Sequence, residues 1–136
     1  MVIVGCPGQG SQTEGFLIPW LEQIVEFKME LEKLSEASGL DLVRLGSSAS
    51  ELEIKDTAIA QPLIVSSSIA GFRAGLSNVP ISGVLGHSVG EFAAAAIAGI
   101  LSDDEAIPFS LTCMTLYCLP APSPPHLQEH RRQCRA

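Results

Sequence analysis

The order of apolar segments predicts an α/β protein, with helices packed on a short parallel sheet. Three observations carry that expectation. Two strand-length, β-branched runs, Met1–Cys6 and Ile81–Leu85, are each followed at once by a glycine-bearing turn. The long stretch between them reads mainly at helical spacing, which suits a parallel crossover rather than a hairpin. A composition of 46% hydrophobic and 17% charged residues over 136 positions is that of one globular domain with a modest core.

Each element has its own signal. Met1–Cys6 is ended by Pro7-Gly8, which a strand cannot continue through. From Phe16 to about Ala37 the residues Leu17, Leu21, Ile24, Val25, Phe27, Leu31 and Leu34 form an apolar helical stripe, and Gly39 supplies the stop. Residues 40–57 are mixed: the serine-rich Gly46–Ser50 is expected to be a loop and Ser50–Ile54 a short helical turn. Ala58–Leu76 reads as a helix with Pro62 in its first turn, where a missing N–H costs little. Ile81–Leu85 is the second strand, and Val89–Ile100 an alanine-rich helix. No internal repeat is visible.

Composition also bounds the partners. A net charge of −7 disfavours nucleic acid and anionic membrane, which need basic patches. No apolar run reaches the ~18 residues of a membrane span, and Met1-Val2-Ile3-Val4-Gly5 lacks a basic, signal-like start. The expectation is a soluble, cytoplasmic protein. Charge is unevenly placed: residues 1–107 carry a net of −9 and residues 108–136 a net of +2. Five of nine prolines and three of four cysteines also fall after Ile107, so two unlike segments, 1–107 and 108–136, are expected.

The residues richest in chemical meaning are Gly86-His87-Ser88-Val89-Gly90, between a strand and a helix. That context is a nucleophile elbow, a sharp turn that holds a serine hydroxyl clear of the strand end. The N–H of Val89 and the positive end of the following helix would face charge developing on an attacked carbonyl. The elbow alone leaves hydrolase and acyltransferase open. A second motif, Pro7-Gly8-Gln9-Gly10-Ser11-Gln12, follows directly on the first strand, and Gln61-Pro62-Leu63 opens a helix between the two.

Together these segments resemble the signatures of the malonyl-CoA:acyl-carrier-protein transacylases, which also mark the acyltransferase domains of polyketide and fatty-acid synthases. The resemblance runs from residue 1 to about 107. It implies a partial α/β-hydrolase-like transacylase core with short parallel strands and packed helices, without the small ferredoxin-like subdomain. It further implies that Ser88 is the nucleophile and that the backbone N–H groups of Gln9 and Val89 form the oxyanion hole. His87 and Gln61 would line the acyl pocket. His87 could equally pack behind the elbow, and Gln61 could serve as a helix-start hydrogen-bonding residue. Glu91 reads as ordinary first-turn capping, and the branched Val89 resembles the malonyl-selecting type. Substrate and partner would be malonyl-CoA and acyl carrier protein in fatty-acid biosynthesis, with no cofactor and no metal.

Two expected groups have no counterpart. The family's histidine base lies far downstream of the serine. Its carboxylate-binding arginine should follow Asp103-Asp104-Glu105-Ala106, where this chain reads Pro108-Phe109-Ser110-Leu111-Thr112-Cys113. Little or no transacylase activity is therefore expected of this polypeptide alone. The Pro-, Cys- and Arg-rich segment 108–136 is expected to be poorly ordered, the kind of mixture a shifted reading frame produces. Its Cys113, Cys118, His126, His130 and Cys134 fit no familiar zinc spacing. An α/β-hydrolase-type esterase and a non-catalytic remnant that binds a carrier protein are the alternatives.

Overall fold

The computed structural model describes residues 1–118. Of the segment 108–136 expected to be poorly ordered, residues 119–136, with the proline-rich stretch and the late histidines, lie outside the described residues. The element order is β1 (Ile3–Cys6), α1 (Ile18–Gln23), α2 (Val25–Ser38), α3 (Leu42–Ser47), α4 (Glu51–Lys55), α5 (Thr57–Leu76), β2 (Gly83–Gly86), α6 (Gly90–Ile97) and α7 (Asp103–Cys118). The α/β class is as expected, and the two strands pair in parallel with Cys6 opposite Gly86.

Local signals explain most boundaries. Gly39 ends α2 in the left-handed conformation at φ 69°, which costs glycine nothing. Asp41, Ser50 and Asp56 cap α3, α4 and α5 by accepting from the N–H groups of Arg44, Glu53 and Ala58. Ser102 and Glu105 form a capping box at the start of α7: the Glu105 carboxylate accepts from the Ser102 N–H and hydroxyl. Those two bonds hold Glu105 below the usual carboxylate range.

Three expectations change. The helix expected from Phe16 to Ala37 is two helices, because Ile24 is extended at φ −127°, ψ 99°. Trp20 and Phe27, on either side of the break, bring their rings to 5.6 Å. The mixed stretch after Gly39 contains α3, so only part of Gly46–Ser50 is loop. Pro62 lies in the second turn of α5, since the helix begins at Thr57. The missing N–H there leaves the Ala58 carbonyl without its helical donor, and the buried ring contributes apolar surface instead. α7 runs through Ile107–Pro108, where the composition changes.

The core forms around α5, which packs against α2, α3, α4, α6 and α7. Phe27, Leu31 and Leu34 of α2 meet Leu63, Ile64 and Ile69 of α5 in one buried cluster, joined by Ile54 and Ile107. Val4 and Val84 turn toward this core, whereas Ile3 and Leu85 stand about half exposed on the opposite sheet face. Beside β1 lies a cavity of about 490 Å³, lined mainly by apolar groups including Val4, Cys6, Trp20, Phe27, Phe72 and Leu76. Among the described residues, no helix is long and apolar enough to cross a membrane.

Candidate active site

The parallel pairing brings the two strand ends together, and with them the two glycine-rich loops. The His87 N–H donates to the Cys6 carbonyl at 3.0 Å, so the chain leaving β2 stays bonded to the end of β1. It then turns at once into α6. Ser88 takes φ +54°, the one non-glycine residue with positive φ among the described residues. A side chain in that region is strained, and here the strain leaves Ser88 exposed at the tip of the turn.

The tightness of the turn accounts for both flanking glycines. A Cβ on Gly86 would lie 2.5 Å from the Glu91 Cα, and one on Gly90 would meet the carbonyl oxygens of Cys6 and Pro7, the latter at 2.5 Å. α6 therefore starts against the end of β1, and the Val89 side chain is driven into the core. The Gly90, Glu91 and Phe92 N–H groups are taken by the His87, Ser88 and Val89 carbonyls at 3.0, 3.0 and 3.2 Å. Among the described residues, no acceptor takes the N–H of Val89 or of Gln9.

The loop after β1 packs against this turn. A Cβ on Gly8 would meet His87 Nδ1 at 2.5 Å and the His87 carbonyl at 2.8 Å. The imidazole occupies the space that a larger residue at position 8 would fill, and His87 remains exposed. Gln9 sends its side chain away from the backbone donor, with Nε2 donating to Thr57 Oγ1 at 3.1 Å. Gln61 lies one turn along α5 from Thr57 and is half-buried. Cys6 is buried at the end of β1, and burial pushes its thiol pKa up. A protonated, buried thiol is a poor nucleophile.

Sequence reasoning quoted Gln12 without a role and missed Thr57. Both act across more than forty residues of chain, a separation that no local pattern reports. Two of the acidic groups at the start of α7 are engaged elsewhere: Glu105 accepts from Ser102, and Asp103 holds Arg73 in a bidentate pair at 2.7 and 2.9 Å. No cluster of three metal-ligating side chains occurs among the described residues.

No protein-family model matches the chain. Individual relatives do. The malonyl CoA-acyl carrier protein transacylase of Mycobacterium tuberculosis is 46% identical over 116 residues, covering 82% of this chain and 38% of the relative. The chain belongs to the malonyl CoA-acyl carrier protein transacylase family. A crystal structure of the transacylase from Mycobacterium tuberculosis superposes with a TM-score of 0.70 at 45% identity, covering 82% of this chain and 38% of that one. A malonyl-transacylase solved with a holo acyl-carrier protein of a type II polyketide synthase gives a TM-score of 0.74 at 29% identity, covering 82% and 36%. The helices and small parallel sheet described above match the transacylase fold, of which this chain spans somewhat more than a third.

Proposed function

We propose that this chain carries the nucleophile and oxyanion loops of a malonyl transfer from malonyl-CoA to the phosphopantetheine thiol of an acyl carrier protein, in fatty-acid biosynthesis. The observation that carries the reading is Ser88 at φ +54° on the β2–α6 turn, packed beside the loop that follows β1. Ser88 Oγ would attack the thioester carbonyl, its proton leaving with the coenzyme A sulfur as the C–S bond breaks. The carrier thiol would then attack the acyl-serine and return a proton to Ser88. The open N–H groups of Gln9 and Val89 are suited to the oxyanion of each tetrahedral intermediate, where one donor contributes about 3 kcal/mol to the barrier. His87 and Gln61 would border the acyl group. Malonyl-CoA is a substrate here, and the reading calls for no bound cofactor.

The resemblance puts the family's base and carboxylate-binding arginine outside residues 1–107. Without them acylation of Ser88 is expected to be slow and sustained turnover absent, since an unassisted serine is a weak nucleophile and transfer to the carrier thiol lacks the same base. Intact-protein and peptide mass spectrometry after incubation with malonyl-CoA tests this: one malonyl group should appear on Ser88 and be absent from S88A. Malonylation elsewhere, or none, would overturn the nucleophile assignment. Steady turnover of malonyl-CoA with holo carrier protein would overturn the expected dependence on the missing groups.

A further inference from the structure

We infer that Gln12 is the positioning residue of this site, fixing the backbone that presents the Gln9 amide; the inference rests on the transacylase reading above. Gln12 is buried, and both ends of its amide are hydrogen-bonded. Its Oε1 accepts from the Gly10 N–H at 2.9 Å, and its Nε2 donates to the Ile54 carbonyl at 3.0 Å. The amide can sit only one way round, because reversal would oppose two donors at Gly10 and two acceptors at Ile54. Gly10 itself is at φ +101°, a conformation that a chain without restraint leaves readily. One side chain therefore closes the loop on itself and ties it to the end of α4. The Gln9–Thr57 bond adds a second tie at the start of α5. Ser11, between the two tethered glutamines, is exposed and bonds only weakly back to Gly8 at 3.4 Å. The exposed stretch from Gln9 to Ser11 thus takes its shape from the two glutamine ties rather than from its own burial.

The test compares this chain with Q12A and Q12E. Hydrogen exchange at the Gly10 amide should speed at least ~10-fold in Q12A while β1 and α5 keep their protection. The maximal single-turnover rate of Ser88 malonylation by malonyl-CoA should fall ~10- to 100-fold, with the half-saturating concentration unchanged. Q12E keeps an acceptor for Gly10 but sets a carboxylate against the Ile54 carbonyl. It should lose rate as Q12A does, without recovery. Unchanged Gly10 exchange in Q12A, or loss of protection spread equally over β1 and α5, would overturn the positioning role. A wild-type chain that takes no malonyl group would sink the transacylase reading instead, and the exchange measurement would still decide whether Gln12 holds the loop.

Discussion

Gly90→Ala probes the crossing of α6 over β1 directly. The added methyl would meet the Cys6 and Pro7 carbonyls, the latter at 2.5 Å, and both are backbone atoms with no rotamer to yield. Ordinary packing begins at 3.4 Å, so the helix start and the strand end must part by about 1 Å, an overpacking that costs ~1–3 kcal/mol. For a domain of this size each kcal/mol lowers Tm by about 4 °C. The same displacement carries Ser88 and Val89 away from the loop of Gln9, and a 1 Å error in a reacting geometry can cost ~100-fold. Thermal melts and the single-turnover malonylation rate of Ser88 are the measurements. Gly5→Ala is the control, because its Cβ would lie 3.8 Å from Leu85 Cδ1, in ordinary contact. A G90A protein that melts and acylates like the wild type, or a G5A protein that suffers equally, would refute the tight-crossing account.

Three further outcomes follow from named contacts. S88G should be more stable than S88A by ~1 kcal/mol in chemical denaturation, because alanine retains the left-handed strain that glycine relieves; equal stabilities would mean the turn is unstrained. Asp56→Ala removes the side chain that accepts from Ala58 N–H at 2.9 Å and should lower unfolding free energy by ~1 kcal/mol through loss of the α5 cap, with Asp56→Asn recovering most of it. Glu30 is held below the usual carboxylate range, chiefly by its hydrogen bond from Lys33, with help from the Arg73 guanidinium. Its stabilising contribution is therefore complete above the unfolded carboxylate pKa of ~4.3 and disappears as pH falls through the lowered native value. E30Q should accordingly lower the neutral plateau of a Tm–pH profile slightly and make its acid limb shallower, the two proteins converging at low pH.

Legibility in the sequence tracked the range over which each feature is determined. The strands, the left-handed stop at Gly39 and the elbow at Ser88 are set within a few residues, and their turn chemistry announced them. The extended Ile24 was hidden because the apolar spacing continues unbroken through it, while the packing of Trp20 on Phe27 decides the bend. Pro62 was misplaced because, even counted from Ala58, it is the fifth helical residue and already past the first turn. At the site, the sharp strand-to-helix turn at Ser88 and its tight flanking glycines could be read from the local pattern. The ties from Gln9 to Thr57 and from Gln12 to Ile54 could not, since each joins segments that meet only after folding.

Among the described residues β1 pairs with β2 alone, which bears on how the polypeptide survives synthesis. β1 also borders the apolar hollow lined by residues of α1, α2 and α5. Unclaimed main-chain groups next to greasy walls accept whichever extended segment reaches them first. In a crowded ribosome queue the neighbour is another nascent copy, so yield in the soluble fraction should depend on expression rate and temperature more steeply than the melting point would suggest.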